Sequence, residues 1–271
     1  MGVLNVTPDS FSDGGKFLDP PSAIEHALEM ARAGADLLDI GGESTRPGST
    51  GTAAETELAR ILPVLEGLHG ALKIPIAVDT RKSQVAEAAI SAGAQIINDV
   101  SGLRFDPRIA EVAQRRGVPL ILMHMRGEPA TMQKGPFARD VMKDVAQGLR
   151  VSIRKARAAG VRKSQIVIDP GIGFGKSFEQ NYELLRKLPE LAKLGYPLLV
   201  GSSRKGFLGT TLARNGKPAP PEDRLWATAA TLTASILGGA HIVRVHDVAE
   251  MARVARVADC LFDPAICRSF R

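Results

Sequence analysis

Aromatic side chains are scarce in this chain, at 4% of residues with one Trp and two Tyr. That scarcity leaves no run of rings on which nucleic-acid bases could stack. The formal net charge is +6, but the basic residues are scattered over amphipathic segments such as RVSIRKARAAGVRK. A solvated basic face is the reading, and no nucleic-acid partner is expected. Such a field can still steer an anionic substrate toward a cleft. Cysteine is rarer still: Cys260 and Cys267 stand near the end of the sequence. Two thiols on one tail make neither a disulfide framework nor the four ligands of a structural zinc, so they read as incidental reduced thiols. No apolar run approaches the roughly 18 residues a membrane helix needs. The opening MGVLNVTPDSFSDGG has neither the basic head nor the apolar core of a signal peptide. Gly2 invites a myristoylation reading, but Val6 stands where Ser or Thr is wanted. A cytoplasmic protein with no membrane partner is expected. Linkers are missing too, since RNGKPAPP (214–221) is the single Pro-rich stretch and reads as a surface loop. Residues 1–271 therefore read as a single domain.

What is present is alternation. Short runs of aliphatic residues, GVLNV from Gly2, DLLDI from Asp36, IPIAV from Ile74, QIIND from Gln95, PLILM from Pro119, QIVID from Gln165, PLLVG from Pro197 and HIVRV from His241, read as parallel strands covered on both faces. Amphipathic segments fall after them: SAIEHALEMARAG, AAETELARILPVLEGL, KSQVAEAAISAG, PRIAEVAQRRG, DVMKDVAQGLRVSIRKARAAG, FEQNYELLRKLPELAKLG, EDRLWATAATLTASILGG and AEMARVARVA. Gly34, Gly93, Gly117, Gly160 and Gly195 sit where left-handed caps would stop helices. Such a series closes into a barrel or stays open as a doubly wound sheet. The length per unit favours an α/β fold of the (β/α)8 TIM-barrel type, and the first strand is followed by polar NVTPDS rather than a dinucleotide-binding glycine fingerprint.

In such barrels the chemistry sits at the strand C-termini. Every strand here ends in polar residues: Asn5; Asp39 through Arg46; Asp79-Thr80-Arg81; Asn98-Asp99; Met123-His124; Asp169-Pro170-Gly171; Ser202 through Lys205; Arg244 through Asp247. The loops after strands seven and eight often hold phosphate in this fold. There Arg204, Lys205, Arg244 and His246 can each supply charge-assisted hydrogen bonds of about 1.5–3 kcal/mol when sheltered. Asp79, Asp169 and Asn98 bring acceptors and an amide to the same mouth, and buried carboxylates must be paired. A heterocycle with adjacent N–H donors would satisfy them, with Arg244 stacked on its ring. The competing reading is structural pairing of the two carboxylates with Lys205 or Arg81.

MGVLNVTPDSFSDGG, DIGGESTRPG, VDTRK, INDVSG, LMHMRGEPATMQ, DPGIGFGK, GSSRKGFLG and RVHDV, in this order from Met1 to about Asp247, together resemble the dihydropteroate synthase family of folate biosynthesis. The resemblance implies a transferase condensing 6-hydroxymethyl-7,8-dihydropterin diphosphate with p-aminobenzoate to give 7,8-dihydropteroate and diphosphate. It places the pterin on Asp79, Asn98, Met123, Asp169, Lys205 and Arg244, and the diphosphate on Asn5, Arg46, Arg244 and His246. Asn5 resembles the side chain that holds Mg²⁺, the implied cofactor. Phe11, Thr45, Pro47, Phe174 and Ser203 are similar to the residues that line the aminobenzoate pocket. Asp13, Thr45, Arg46, Lys205 and Ser203 are the implied catalytic set, with Asp9 a competitor for the role of Asp13.

Residues 7–15 and 41–51, rich in Gly, Ser and Pro, are expected to order around substrate. The loops NVTPDSFSDGG and ESTRPG set the resemblance apart from the pterin-binding methyltransferases, the alternative enzyme. A non-catalytic pterin-binding module would have lost Asn5, Thr45, Arg46 or Ser203, and all four are present. The resemblance further implies a homodimer through the late helices, small-molecule substrates and sulfonamide sensitivity. One departure is that the family usually carries a leader before this first motif, whereas strand one opens here at residue 1 or 2; that bears on stability and not on chemistry.

Overall fold

In a strand, successive side chains point to opposite faces, so residues two apart share one face. The computed structural model, which describes residues 1–7, 19–44, 48–49 and 51–267, turns that period into a closed barrel. Its strands are β1 (Gly2–Asn5), β2 (Leu38–Gly41), β3 (Ile76–Asp79), β4 (Ile96–Asp99), β5 (Leu120–Met123), β6 (Ile166–Asp169), β7 (Leu199–Val200) and β8 (Ile242–Val243). β1 to β6 pair in sequence order, all parallel, and β7 pairs with β8. Two seams close the ring. Ile168 bridges Leu198, with Ile168 N–H donating to Pro197, and Gly2 bridges Val245, with Val3 N–H donating to the Val245 carbonyl. Among the described residues no edge strand is left unpaired, so no row of free backbone groups invites association.

Outside the ring run α1 (Pro20–Arg32), α2 (Ala54–Leu68), α3 (Ser83–Ser91), α4 (Ile109–Arg116), α5 (Val141–Ala158), α6 (Phe178–Arg186), α7 (Leu188–Ala192), α8 (Gly206–Thr211), α9 (Leu225–Leu237) and α10 (Val248–Phe262). Their apolar faces bury Ala27, Ile61, Leu65, Val85, Val112, Leu149 and Leu184 against the strands. Burial of side chains this size is worth about 1.5–3 kcal/mol each. Asp19 caps α1, Asp140 caps α5 and Ser177 caps α6 through their side-chain oxygens. The five expected stop glycines, Gly34, Gly93, Gly117, Gly160 and Gly195, all have positive φ. Among the described residues no helix is long and apolar enough to cross a membrane.

Inside the ring a separate apolar plug fills the lower half. Met1, Leu37, Ala77, Ile121 and Leu199 pack together, with Ile96, Val167 and Ile242 against them, so all eight strands contribute. Two residues further along seven of these strands come Asp39, Asp79, Asn98, Met123, Asp169, Gly201 and Arg244. The barrel thus seals its lower half with hydrocarbon, and its next inward-facing layer is polar.

Three readings of the sequence are corrected. The segment read as one helix from Phe178 to Gly195 is broken between Arg186 and Leu188, because Pro189 lacks the N–H to continue the helix and sits instead in the first turn of α7. The GFLGTT segment after strand seven, which belonged to none of the helices expected from the sequence, forms the short helix α8. Cys260 and Cys267 are not free thiols: they are joined to each other where α10 ends.

Candidate active site

Arg244, on the last strand, is the hub of the polar layer. Its Nε donates to Asp39 Oδ2 at 2.6 Å and one terminal nitrogen donates to Asp79 Oδ2 at 3.0 Å. Asp39 Oδ2 also accepts from Asn98 Nδ2 at 3.0 Å. Strands β2, β3 and β4 and the residue after β8 therefore meet through one ionic knot, in which Asp39, Asp79 and Asn98 are buried and Arg244 is partly exposed to the cavity. Burial, and next the neighbouring Asp39 carboxylate, hold the Asp79 carboxyl well above the usual carboxylate range, with Arg244 pulling the other way. Asn98 Oδ1 and Asp39 Oδ1 are buried with no hydrogen-bond donor in the protein. Orphaned buried acceptors cost about 1–3 kcal/mol each, and these two lie behind Asp79 and Arg244, which line the cavity described below.

Across the mouth, Asp169 ends β6 and is paired in register with Met123 of β5. Its Oδ1 accepts from the Gly171 N–H at 2.7 Å. Burial pushes its pKa up to about 6, against the pull of that N–H and of the Lys176 and Lys205 ammoniums. Gly171 is glycine of necessity. Its φ is +66°, and a Cβ there would lie 1.9 Å from the His124 carbonyl oxygen. Beneath this turn the buried Lys176 ammonium donates to the His124 carbonyl at 2.9 Å and contacts His124 Nδ1 at 3.0 Å. Burial brings Lys176 down to about 7. The His124 ring is driven far down, first by burial and then by Lys176, and so stays neutral. With Nδ1 accepting from lysine, the ring proton resides on Nε2, 3.6 Å from Asp144.

Above these residues opens a cavity of about 660 Å³ lined by Asn5, Asp79, Phe174, Ser203, Lys205 and Arg244, with His246, Ser44 and Thr7 among its other walls. That volume suits a small organic ligand. Lys205 precedes α8 and its Nζ lies 4.1 Å from the Phe174 ring centroid, a cation–π contact. Met123 packs with Val100, Met125 and Met132 beside Phe174, a soft apolar wall. Ser203 Oγ binds both His246 Nδ1 (3.0 Å) and the His246 N–H (3.1 Å), tying the ends of β7 and β8 together.

Of the described residues of the expected site, Asn5, Asp79, Phe174, Ser203, Lys205, Arg244 and His246 line the cavity, while Asn98, Met123 and Asp169 stand behind that lining, Asn98 joined to Arg244 through Asp39, Met123 packed with Met132 and Phe174, and Asp169 beside Met123. Phe11, Asp13, Thr45, Arg46 and Pro47, together with Asp9, lie outside the described residues. The structural pairing expected for Asp79 exists, but with Arg244 rather than Lys205 or Arg81. Arg81 instead binds Glu43, which also takes Lys82, in a rim network with buried Glu57. Arg204, counted among the anion donors, is engaged with Asp247, its Nε at 3.0 Å, and serves to brace α10 against the β7 loop. Asp39, read from the sequence only as part of the polar end of strand two, was given no role, and Lys176 was not singled out. Both stand inside quoted motifs, and Asp39 lies two residues after the apolar Leu37, the period that marks the inward face.

The chain matches the family model described as pterin binding enzyme over residues 1–246. It is 49% identical over 262 residues to dihydropteroate synthase of Synechocystis sp., covering 97% of this chain and 89% of that one. The solved structure of Yersinia pestis dihydropteroate synthase with a sulfonamide drug superposes with TM-score 0.91 at 42% identity, covering 96% and 93% of the two chains. That of the Xanthomonas albilineans enzyme in complex with 7,8-dihydropteroate gives 0.85 at 41%, covering 97% and 93%. On this agreement of sequence, barrel and polar mouth, the chain belongs to the pterin binding enzyme family, among its dihydropteroate synthases.

Proposed function

We propose that this barrel condenses 6-hydroxymethyl-7,8-dihydropterin diphosphate with p-aminobenzoate, holding the pterin on the ionic floor and the leaving diphosphate between Asn5 and His246. The observation that carries the reading is a buried polar cluster, in which Asn98 and Asp39 each keep an oxygen without a donor, joined to a cavity of suitable volume through Asp79 and Arg244, which line it. A pterin edge offers the adjacent N–H donors that such a floor lacks. Arg244, held in place by two carboxylates, lies against the heterocycle, and Lys205 and Met123 close it in. The carbon–oxygen bond to diphosphate breaks as the aryl amine attacks the pterin methylene, and the pterin ring shares the positive charge that develops. Ser203 Oγ orients the imidazole of His246 toward the departing anion, and fixed donors aimed at developing charge lower the barrier most. The apolar face of Phe174 and the stem of Lys205 form one wall for the aminobenzoate ring.

Among the described residues no cluster of three or more His, Cys, Asp or Glu could hold a metal ion. Asn5, neutral and half-buried, fits a different arrangement: Mg²⁺ keeps its waters, takes most of its ligand charge from phosphate, and needs one protein oxygen. Asn5 would hold the ion through its side-chain oxygen, and the ion would supply charge neutralisation at the leaving diphosphate. The same reading assigns Phe11, Thr45 and Pro47 to the aminobenzoate, Arg46 to the diphosphate, and Asp13, with Asp9 its competitor, to orienting the amine.

A homodimer is part of the same reading. Trp226, Leu237, Val257, Leu261 and Phe262 are exposed on the adjacent helices α9 and α10, more large apolar surface than a solvated helix pair needs, and such surface suits an interface. Light scattering that gives the mass of one chain would refute the dimer. The reaction itself is tested by following diphosphate release, which should require both the pterin diphosphate and p-aminobenzoate. Release without the amine, or none with both, would refute the assignment.

A further inference from the structure

We infer that Asp39 is a positioning residue that fixes which atom of Asn98 faces the pterin and where Arg244 lies. An asparagine amide presents a carbonyl oxygen on one side and an NH₂ on the other, and its orientation is set by whatever it meets. Asp39 Oδ2 can only accept, so it captures the Asn98 NH₂, at 3.0 Å, and turns Oδ1 away from itself. That Oδ1 is then buried without a donor, poised to accept an N–H from the heterocycle. The same Asp39 oxygen receives Arg244 Nε at 2.6 Å, which sets the plane of the guanidinium, while the far nitrogen reaches Asp79 at 3.0 Å. Asp39 is itself fully buried and does not border the cavity, so it acts through its two neighbours. A carboxylate is what this position needs. An asparagine here would offer an NH₂ as well as an oxygen, would let Asn98 turn over, and would release the charge-assisted hold on Arg244. The barrel supplies the geometry by placing Asp39, Asn98 and Arg244 in one inward layer above the apolar plug.

The inference rests on the pterin reading of this site, and the test separates the two. In Asp39→Asn, a change that preserves volume, pterin affinity should fall about tenfold to a hundredfold, the range expected when one buried hydrogen bond is mismatched. The KM for the pterin diphosphate should rise while that for p-aminobenzoate stays within about twofold. A general loosening of the barrel would move both. In a double-mutant cycle with Asn98→Ala, the effect of Asp39→Asn should shrink, because the residue it acts through is gone. Independently of any ligand, the Asn98 side-chain NH₂ should exchange slowly with solvent in the unliganded enzyme and faster in Asp39→Asn. Should the native protein bind no pterin, the reading of the site fails, and amide exchange still decides whether Asp39 holds Asn98. A folded Asp39→Asn protein with native pterin affinity, or effects that simply add in the cycle, or unchanged amide exchange, overturns the inference.

Discussion

Replacing Asp169 by Asn should raise the stability of the protein and ruin its grip on pterin at the same time. Asp169 is buried, and its folded pKa is about 6 against an ordinary value of 3.8. Between those two pH values the native state holds a proton that the unfolded chain has released. Stability therefore falls as pH rises through this window, and the full cost persists above about 6. A displacement of this size corresponds to about 3 kcal/mol. Asparagine carries no such cost, but its bond from the Gly171 N–H loses charge assistance, worth about 1 kcal/mol. The net gain is about 2 kcal/mol at pH 7.5, or a few degrees in Tm. It should fade below about pH 4, where the native aspartic acid is already neutral. Binding moves the other way. The Gly171 N–H keeps the amide oxygen, as it now keeps Asp169 Oδ1 at 2.7 Å, so the asparagine NH₂ replaces the second carboxylate oxygen. Donor then faces donor where the pterin N–H should be accepted. The penalty, about 3 kcal/mol, weakens pterin binding a hundredfold or more. Thermal melts at pH 7.5 and pH 4, with pterin titrations at neutral pH, check both halves. Pterin affinity within a few-fold of native would refute the role of Asp169, and a Tm below native at both pH values would refute the electrostatic reasoning.

The remaining predictions are shorter. Gly171→Ala should destabilise strongly, by more than about 2 kcal/mol, since the added methyl meets the His124 carbonyl at 1.9 Å on a backbone with positive φ; a denaturation midpoint within error of native would contradict this. Lys176→Met should gain stability over the native protein most at pH 7 and below. The native lysine, brought down to about 7 from 10.5, recovers its buried cost as pH rises between those values, so a Tm difference that does not change with pH would count against it. Titration calorimetry should find no tight Mg²⁺ binding to the enzyme without diphosphate, because Asn5 brings no charge; micromolar binding to the unliganded protein would point to a carboxylate site instead.

Much of the fold was legible in the sequence because it depends on local pattern. Continuous aliphatic runs such as PLILM and QIVID can be buried on both faces only in a parallel sheet, and the capping glycines mark where helices must stop. The motif residues Asp79, Asn98, Asp169, Lys205 and Arg244 were legible for the same reason, standing directly after those runs. What only the tertiary structure decided are pairings between residues far apart in the chain. Arg244 meets Asp39 across 205 positions and Asp79 across 165, and no spacing rule selects these over Lys205 or Arg81. Arg204, adjacent to Lys205 and alike in charge, borders the cavity as well but is paired with Asp247, 43 positions away. The joining of Cys260 to Cys267 is likewise a matter of where α10 ends, whereas the break at Pro189 was open to a local reading, since proline lacks the N–H a continuing helix needs. Sequence determined which residues come inward, through the two-residue period of a strand. Closure of the barrel determined which of them meet, since only the ring brings its first and last strands together.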